Sequence, residues 1–293
     1  MSKETILVTG AGGQLGTKVK EAFEQNGTFN MVYTDVDDLD ITMRPQVDAM
    51  LERHKPQIVI NCSAYTAVDN AEKERDSALK TNQKGSLVLA EKCKKHSAFL
   101  IHISTDYVFD GEGFMPYEET HPTRPVNFYG QTKVLGEEAI LQNYNEAVII
   151  RTAWLYSEFG KNFVTTMLRL GAEREQLGVI DDQVGTPTYA GDLADAILAF
   201  AKNYVTSNSF KRGIYHFTNE GACSWYDFAL KIQQLANNRV QINPIPTTDY
   251  PTPAKRPHYS ILNKRKIKDQ LQIEIPHWEE SLIKCIELIS ARQ

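Results

Sequence analysis

Long apolar runs are missing from this chain. None approaches the ~20 residues that a membrane-spanning helix needs. The start, Met1-Ser2-Lys3-Glu4-Thr5, is too polar for a secretory leader. Together these absences predict a cytoplasmic protein with no membrane partner. Positive charge is also in deficit: 32 Lys and Arg against 37 Asp and Glu give a formal net charge of -5. That removes any reason to expect nucleic acid, while a local basic pocket stays compatible with it. Cysteine is scarce. Cys62, Cys93, Cys223 and Cys285 are scattered without metal-type spacing and read as reduced thiols, so no metal site is expected from them. There is no internal repeat and no low-complexity tract. The 293 residues suit one large domain, or a main domain with a smaller appendage.

What is present begins with Thr5-Ile6-Leu7-Val8-Thr9, a short β-branched run that reads as a buried strand. It meets Gly10-Ala11-Gly12-Gly13-Gln14-Leu15-Gly16, and a helical segment follows from about 14 to 25. Glycines spaced in this way permit a tight turn and let backbone approach a pyrophosphate. The helix start then offers N–H groups and a positive dipole to the phosphates. Strand before and helix after favour a dinucleotide loop over an ordinary turn. Asn30 to Thr34 reads as a second strand ending at Asp35, nineteen residues past Gly16. An acid there can accept from the adenosine ribose 2′-hydroxyl. Leu39 and Asp40 are candidates for the adenine side, within an acidic loop that also carries Asp37 and Asp38.

Further on, Pro45 to His54 suggests a helix and Ile58 to Asn61 a third strand. Its exit loop, Cys62-Ser63-Ala64-Tyr65, has the small residues that suit a ligand crevice at strand ends. Helical periodicity resumes through Asp76 to Lys95. Phe99 to Ile103 is a fourth strand and Val148 to Ile150 a fifth. Strands alternating with helices imply a doubly wound parallel α/β sheet of Rossmann type. The alternation loosens past residue ~155. The expected division is therefore a dinucleotide-binding domain over 1–155 and a mainly substrate-binding region over 156–293. A helix at about 190–201 returns to the main domain. Asn162 to Leu170 and Trp225 to Leu235 read as helices, Gly213 to Thr218 as a strand, and Val179 to Thr188 as a polar loop. Pro244 to Pro257 is a Pro-rich stretch carrying Lys255 and Arg256, cations suited to a diphosphate. A solvated basic loop explains that stretch equally well.

The chemistry concentrates after the fourth strand. Ser104 and Thr105 close it, and Tyr129 and Lys133 sit four apart on a following helix, so that phenol and ammonium share one face. A hydroxyl, a Tyr and a Lys make a proton-delivery set for a carbonyl. The pattern alone also describes a solvated helix face; it acquires meaning beside a nicotinamide, which supplies hydride while the protein supplies placement and a proton. A nearby ammonium would lower the phenol's ordinary pKa of ~10. Thr105 would hold the same carbonyl oxygen.

The glycine loop, Ser104-Thr105-Asp106-Tyr107-Val108-Phe109 and Tyr129-Gly130-Gln131-Thr132-Lys133 resemble the extended short-chain dehydrogenase/reductases. Within them the chain is most similar to the branch that reduces the 4-keto group of dTDP-4-dehydro-6-deoxy-L-mannose to dTDP-L-rhamnose. Thr66-Ala67-Val68-Asp69, Arg151 to Tyr156, Asn162-Phe163-Val164, Asp182 to Thr188 and Tyr250 to Pro257 extend the resemblance over nearly the whole chain. It implies a dTDP-sugar substrate, NADPH or NADH as cofactor, and Thr105, Tyr129 and Lys133 as the catalytic set. It places Gln14, Ser63, Ala64 and Tyr65 on the cofactor, and Asp106 and Trp154 on the sugar. Some bacterial relatives carry a Glu after the last glycine that serves a magnesium-bridged dimer. Thr17-Lys18 stands there in this chain, which argues against magnesium and leaves monomer or homodimer open. Asp35 would repel a 2′-phosphate. A sugar 4-epimerase and a non-catalytic cofactor-binding regulatory subunit are the alternatives. A dehydratase would carry Glu where this chain has Tyr107.

Overall fold

The computed structural model describes residues 3–292; Met1 and Ser2, part of the polar start, and Gln293 lie outside them. Six strands form the main sheet: β1 (Thr5–Thr9), β2 (Asn30–Thr34), β3 (Ile58–Asn61), β4 (Phe99–Thr105), β5 (Ala147–Thr152) and β6 (Gly213–His216). Their spatial order is β2-β1-β3-β4-β5-β6, and every pairing is parallel. Order reverses between β1 and β3. That switch point opens a crevice at the C-terminal strand ends, where such sheets bind ligand.

The strands are apolar on both sides because both faces are covered. Ile6, Val8, Ile60, Ile101 and Ile150 pack against Val19 and Phe23 of α1 (Gln14–Asn26) and a later helix. Leu7, Val59, Leu100 and Ile149 face the other way, toward Leu51 of α2 (Arg44–His54), Val88 of α3 (Ser86–His96) and Ile140 of α4 (Phe128–Asn143). Each fully buried side chain of this kind contributes roughly 1.5–3 kcal/mol over exposure. The expected doubly wound sheet is therefore the architecture.

Beyond it, α5 (Phe163–Glu173) starts on a capping box made by Asn162 and Thr165. The later helix of the first face is α6 (Ala190–Thr206), longer than expected, and it brings Leu193, Ile197 and Phe200 to the main core. α7 (Trp225–Leu235) and α9 (Trp278–Ser290) pack with α5 around Tyr156, Phe228 and Leu282 as a second core. Two further segments join the main body: β6 at the sheet edge, and α8 (Arg265–Leu271) through Ile267.

Three local features differ from expectation. The helix through 76–95 is interrupted by a wide π-helical turn at Lys80–Gly85. Asn82 in that turn bonds the Tyr65 backbone and the Thr132 hydroxyl, a tertiary demand that periodicity does not report. Val179 and Ile180 lie in a strand, Gln176–Ile180, which pairs with Gln241–Ile245, so part of the expected polar loop and Pro244 are ordered in a small parallel ladder. β4 runs on to Thr105, which places both hydroxyls inside the sheet.

Candidate active site

The first and third strands end against each other. Gly10 has φ +67°, and a Cβ there would lie 2.7 Å from the Ser63 amide nitrogen. A Cβ on Gly16 would lie 2.2 Å from the Gly10 carbonyl oxygen. Both positions therefore require glycine. Gly13 caps α1 without a side-chain hydrogen bond, and the first helical turn carries no acid. The amides of that turn are left for an anion, so the loop fits a dinucleotide pyrophosphate.

Asp35 closes the loop from the β2 end. Its Oδ2 accepts from the Gly12 amide at 2.8 Å and its Oδ1 from the Val36 amide at 2.7 Å. Leu39 points away: its side chain is buried in the core beside Val47 and Leu51, so it offers a cofactor only backbone. Asp40 accepts from the Thr42 amide at 2.9 Å. Neither residue lines the main cleft.

That cleft has a volume of about 470 Å³ and runs from the glycine loop to the ends of β4 and β5. Gly13, Gln14, Leu15, Gly16, Cys62 and Ala64 line one end; Thr105, Asp106, Tyr129, Lys133 and Trp154 line the other. Ser63 lies just behind, with its amide on the Asn61 side chain. Tyr65 turns its hydroxyl to Glu74 at 2.9 Å. Gln14 accepts from Asn162 at 2.9 Å, joining the loop to the start of α5.

Tyr129 and Lys133 occupy the buried face of α4. Burial pushes the Tyr129 phenol well above its ordinary range, and a hydrogen bond with Thr105 only partly offsets this. The expected lowering by Lys133 is not met. The ammonium is turned away, donating to the Ile103 carbonyl at 2.7 Å. Burial brings Lys133 down to about 8, with Glu137 opposing. Thr105 donates to Asp106 Oδ1 at 3.0 Å and accepts from the Tyr107 amide. Burial raises Asp106 to about 7 against hydrogen bonds from Thr105 and Ser260, and its Oδ2 is buried with no partner among the described residues.

Trp154 has φ +48°, a left-handed conformation costing of order 1–3 kcal/mol for a non-glycine residue. It is held by stacking on Trp225, centroid to centroid 3.5 Å, and by Gly185, where a Cβ would lie 2.8 Å from the indole. Sequence reading missed Trp225. Its position directly after the Ser224 cap was the available signal, but nothing local links it to Trp154. Lys161 and Asn162 were also missed and line the cleft.

Arg256 and Lys255 do not line the cleft. Arg256 forms a two-pronged pair with Asp69, Nη1 to Oδ1 3.1 Å and Nη2 to Oδ2 2.8 Å. Lys255 is exposed, and its carbonyl accepts from Asn127. The Pro-rich loop is thus clasped to the short helix Val68–Ala71 beside the cleft wall at Thr66 and Val68. Lys18 donates to Glu21 at 2.5 Å and to Glu158 at 2.9 Å. No cluster of three or more His, Cys, Asp or Glu suited to a metal occurs among the described residues.

The family described as the RmlD substrate binding domain matches residues 4–290. A dTDP-4-dehydrorhamnose reductase of Aggregatibacter actinomycetemcomitans is 42% identical over 94% of this chain and 96% of its own. The chain belongs to the dTDP-4-dehydrorhamnose reductase family. Solved members agree in fold. The Clostridium acetobutylicum reductase superposes with a TM-score of 0.92 at 41% identity, covering 98% of this chain and 99% of its own. The Bacillus anthracis reductase, solved with NADP, gives 0.92 at 40% identity, covering 98% of this chain and all of its own. Among the described residues no helix is long and apolar enough to cross a membrane.

Proposed function

We propose that this chain is an NAD(P)H-dependent oxidoreductase that reduces the 4-keto group of dTDP-4-dehydro-6-deoxy-L-mannose to dTDP-L-rhamnose, a precursor of cell-surface polysaccharide. The observation that carries the reading is convergence. Thr105, Tyr129 and Lys133 come from a strand end and a helix face to one cleft, with the glycine loop at its other end. Residues 1–155, with the returning segments, would carry the cofactor, and the remainder most of the sugar nucleotide.

Gly10, Gly12, Gly13 and Gly16 would admit the pyrophosphate, Asp35 the adenosine ribose, and Lys133 the nicotinamide ribose. Bound there, the nicotinamide supplies the hydride. Tyr129 holds its proton throughout the neutral range because burial disfavours the phenolate, so it can deliver that proton to the keto oxygen. Thr105 sits beside it to orient the same oxygen once its hydroxyl turns from Asp106. Asp106, titrating near neutrality, can hydrogen-bond a sugar hydroxyl in either protonation state. Trp154 and Trp225 would wall the sugar side. Lys161, which lines the cleft together with Lys133, would meet the diphosphate, the role sequence reading gave to Lys255 and Arg256. Lys18 already places a positive charge between Glu21 and Glu158, which disfavours magnesium there.

The assay is direct: protein, reduced cofactor and the 4-keto sugar nucleotide, followed by nicotinamide absorbance. Stoichiometric oxidation supports the reductase; no consumption leaves the epimerase or the regulatory subunit. Two further outcomes are expected. Both NADPH and NADH bind, and Asp35→Ala shifts the ratio of their dissociation constants toward NADPH, because a like charge near the 2′-phosphate is removed. An unchanged ratio assigns Asp35 to holding Gly12 alone. Arg256→Ala and Asp69→Asn should raise the sugar-nucleotide KM alike and spare cofactor affinity, since each opens the same clasp. A rise in Arg256→Ala only would return Arg256 to the diphosphate.

A further inference from the structure

Behind the catalytic face of α4 lies a charged network with no role in the mechanism so far. Glu137 follows Lys133 by one helical turn, and both side chains are buried on the same face. Glu137 Oε1 accepts from Ser104 Oγ at 2.5 Å and from Arg151 Nε at 2.9 Å; Oε2 accepts from Arg151 Nη2 at 2.6 Å. Ser104 and Arg151 stand opposite each other in the β4–β5 register. Arg151 also lies 5.1 Å over the Phe109 ring. The carboxylate is therefore fixed from two strands and cannot swing away from its helix.

Burying both ions of such a pair costs solvation that their attraction barely returns, so stability alone is a weak reason to keep it. Its neighbour supplies another. The titratable and charged groups about Lys133 are His102 on β4, Tyr129 and Glu137 one turn before and after it on its own helix, Asp106, which lines the same cleft, and Arg151 on β5, which is paired to Glu137. The turn at Lys80–Gly85 and α3 present Asn82 and Ser86 to α4, neither of which titrates. His102 stays neutral, through burial and then through Lys133 itself. Of all these groups, Glu137 is the one that draws Lys133 toward its charged form.

We propose that Glu137 is a positioning residue for the reduction: anchored by Arg151 and Ser104, its carboxylate keeps Lys133 charged and seated on the Ile103 carbonyl, ready for a ribose hydroxyl. The consequence for turnover rests on the reductase reading; the charge coupling itself does not. Both are therefore measured separately.

Lys133 is titrated by NMR in protein carrying 13C-ε-lysine, its signal assigned by its absence in Lys133→Met. Two variants are compared with wild type: Glu137→Gln, which keeps shape, and Glu137→Gln with Arg151→Met, which removes the pair as a unit. The second carries the test where the first does not fold. In Glu137→Gln, Lys133 should titrate at least one pH unit lower, a change of about tenfold in its charged population on the alkaline side; in the double variant, which also removes the repelling Arg151 charge, it should move down by a smaller amount. In Glu137→Gln, NADPH affinity should then fall about fivefold at pH 8, where the charged fraction drops from about a half to about a tenth, and recover toward wild type at pH 6.5. A Lys133 titration unmoved in the folded variants overturns the proposal. So does an affinity loss of equal size at both pH values, the mark of a structural role. Turnover of the keto sugar by wild type, followed in parallel, tests the reductase reading independently of the titration.

Discussion

Tyr129→Phe is expected to lower kcat for the keto sugar by about 10²–10⁴-fold, the usual contribution of a positioned general acid. The substitution removes one oxygen and little else. The Tyr129 ring packs edge-on against Tyr107 at 5.8 Å, a contact that Phe retains. Folding and cofactor affinity should therefore match wild type. Burial keeps the phenol protonated well beyond neutral pH, so the wild-type acid limb cannot come from Tyr129. Water is a poor substitute donor in so buried a site, which is why the loss should reach this range. A variant that turned over the keto sugar at the wild-type rate would return the Tyr–Lys pair to an ordinary helix face.

Lys133→Met is expected to damage binding as well as turnover. Removing one charge-assisted hydrogen bond worth about 1.5–3 kcal/mol should raise the cofactor Kd by about ten- to a hundredfold. Turnover falls with it, because the nicotinamide is no longer held against the Tyr129 end of the cleft. In wild type the same affinity should decline as pH rises through about 8, where Lys133 loses its proton. In Lys133→Met that dependence should vanish. Stability moves the opposite way. The folded-state value, about 8, lies below the ordinary 10.5, so the unfolded chain binds the extra proton between them. Wild-type stability should rise across that window, and Met should raise Tm at pH 7 by removing a buried charge. Weaker binding in a more stable protein distinguishes loss of a ligand contact from loss of fold. Since Tyr129 and Lys133 act as a unit, the double variant should lose far less than the product of the single losses.

Both predictions depend on details of uneven legibility. The glycine loop was readable because its requirements are local: Gly10 needs a positive φ, and Gly16 must lack a Cβ because the Gly10 carbonyl, six residues earlier, lies against it. The strands were readable because a parallel sheet covered on both faces demands continuous apolar runs. Tyr129 and Lys133 were readable as a pair because four residues make about one helical turn. Their electrostatics were not. Whether the ammonium faces the phenol or the Ile103 carbonyl depends on β4, thirty residues away in the chain.

By itself, then, the chain's order of residues determined the doubly wound sheet and the glycine loop between β1 and α1, and it offered Thr105, Tyr129 and Lys133 as the proposed proton-delivery set, all from short-range pattern. Tertiary structure alone decided the partners. It joined Arg256 to Asp69 across 187 positions, a partner that nothing local to the Pro-rich stretch names. It stacked Trp225 on Trp154 and held the Glu137 carboxylate, one turn from Lys133, between Ser104 of β4 and Arg151 of β5. The physical reason is the same in each case. A charge or an aromatic face in a dry interior takes its function from whatever stands within a few ångströms of it, and at long sequence separation only the packed fold specifies that neighbour.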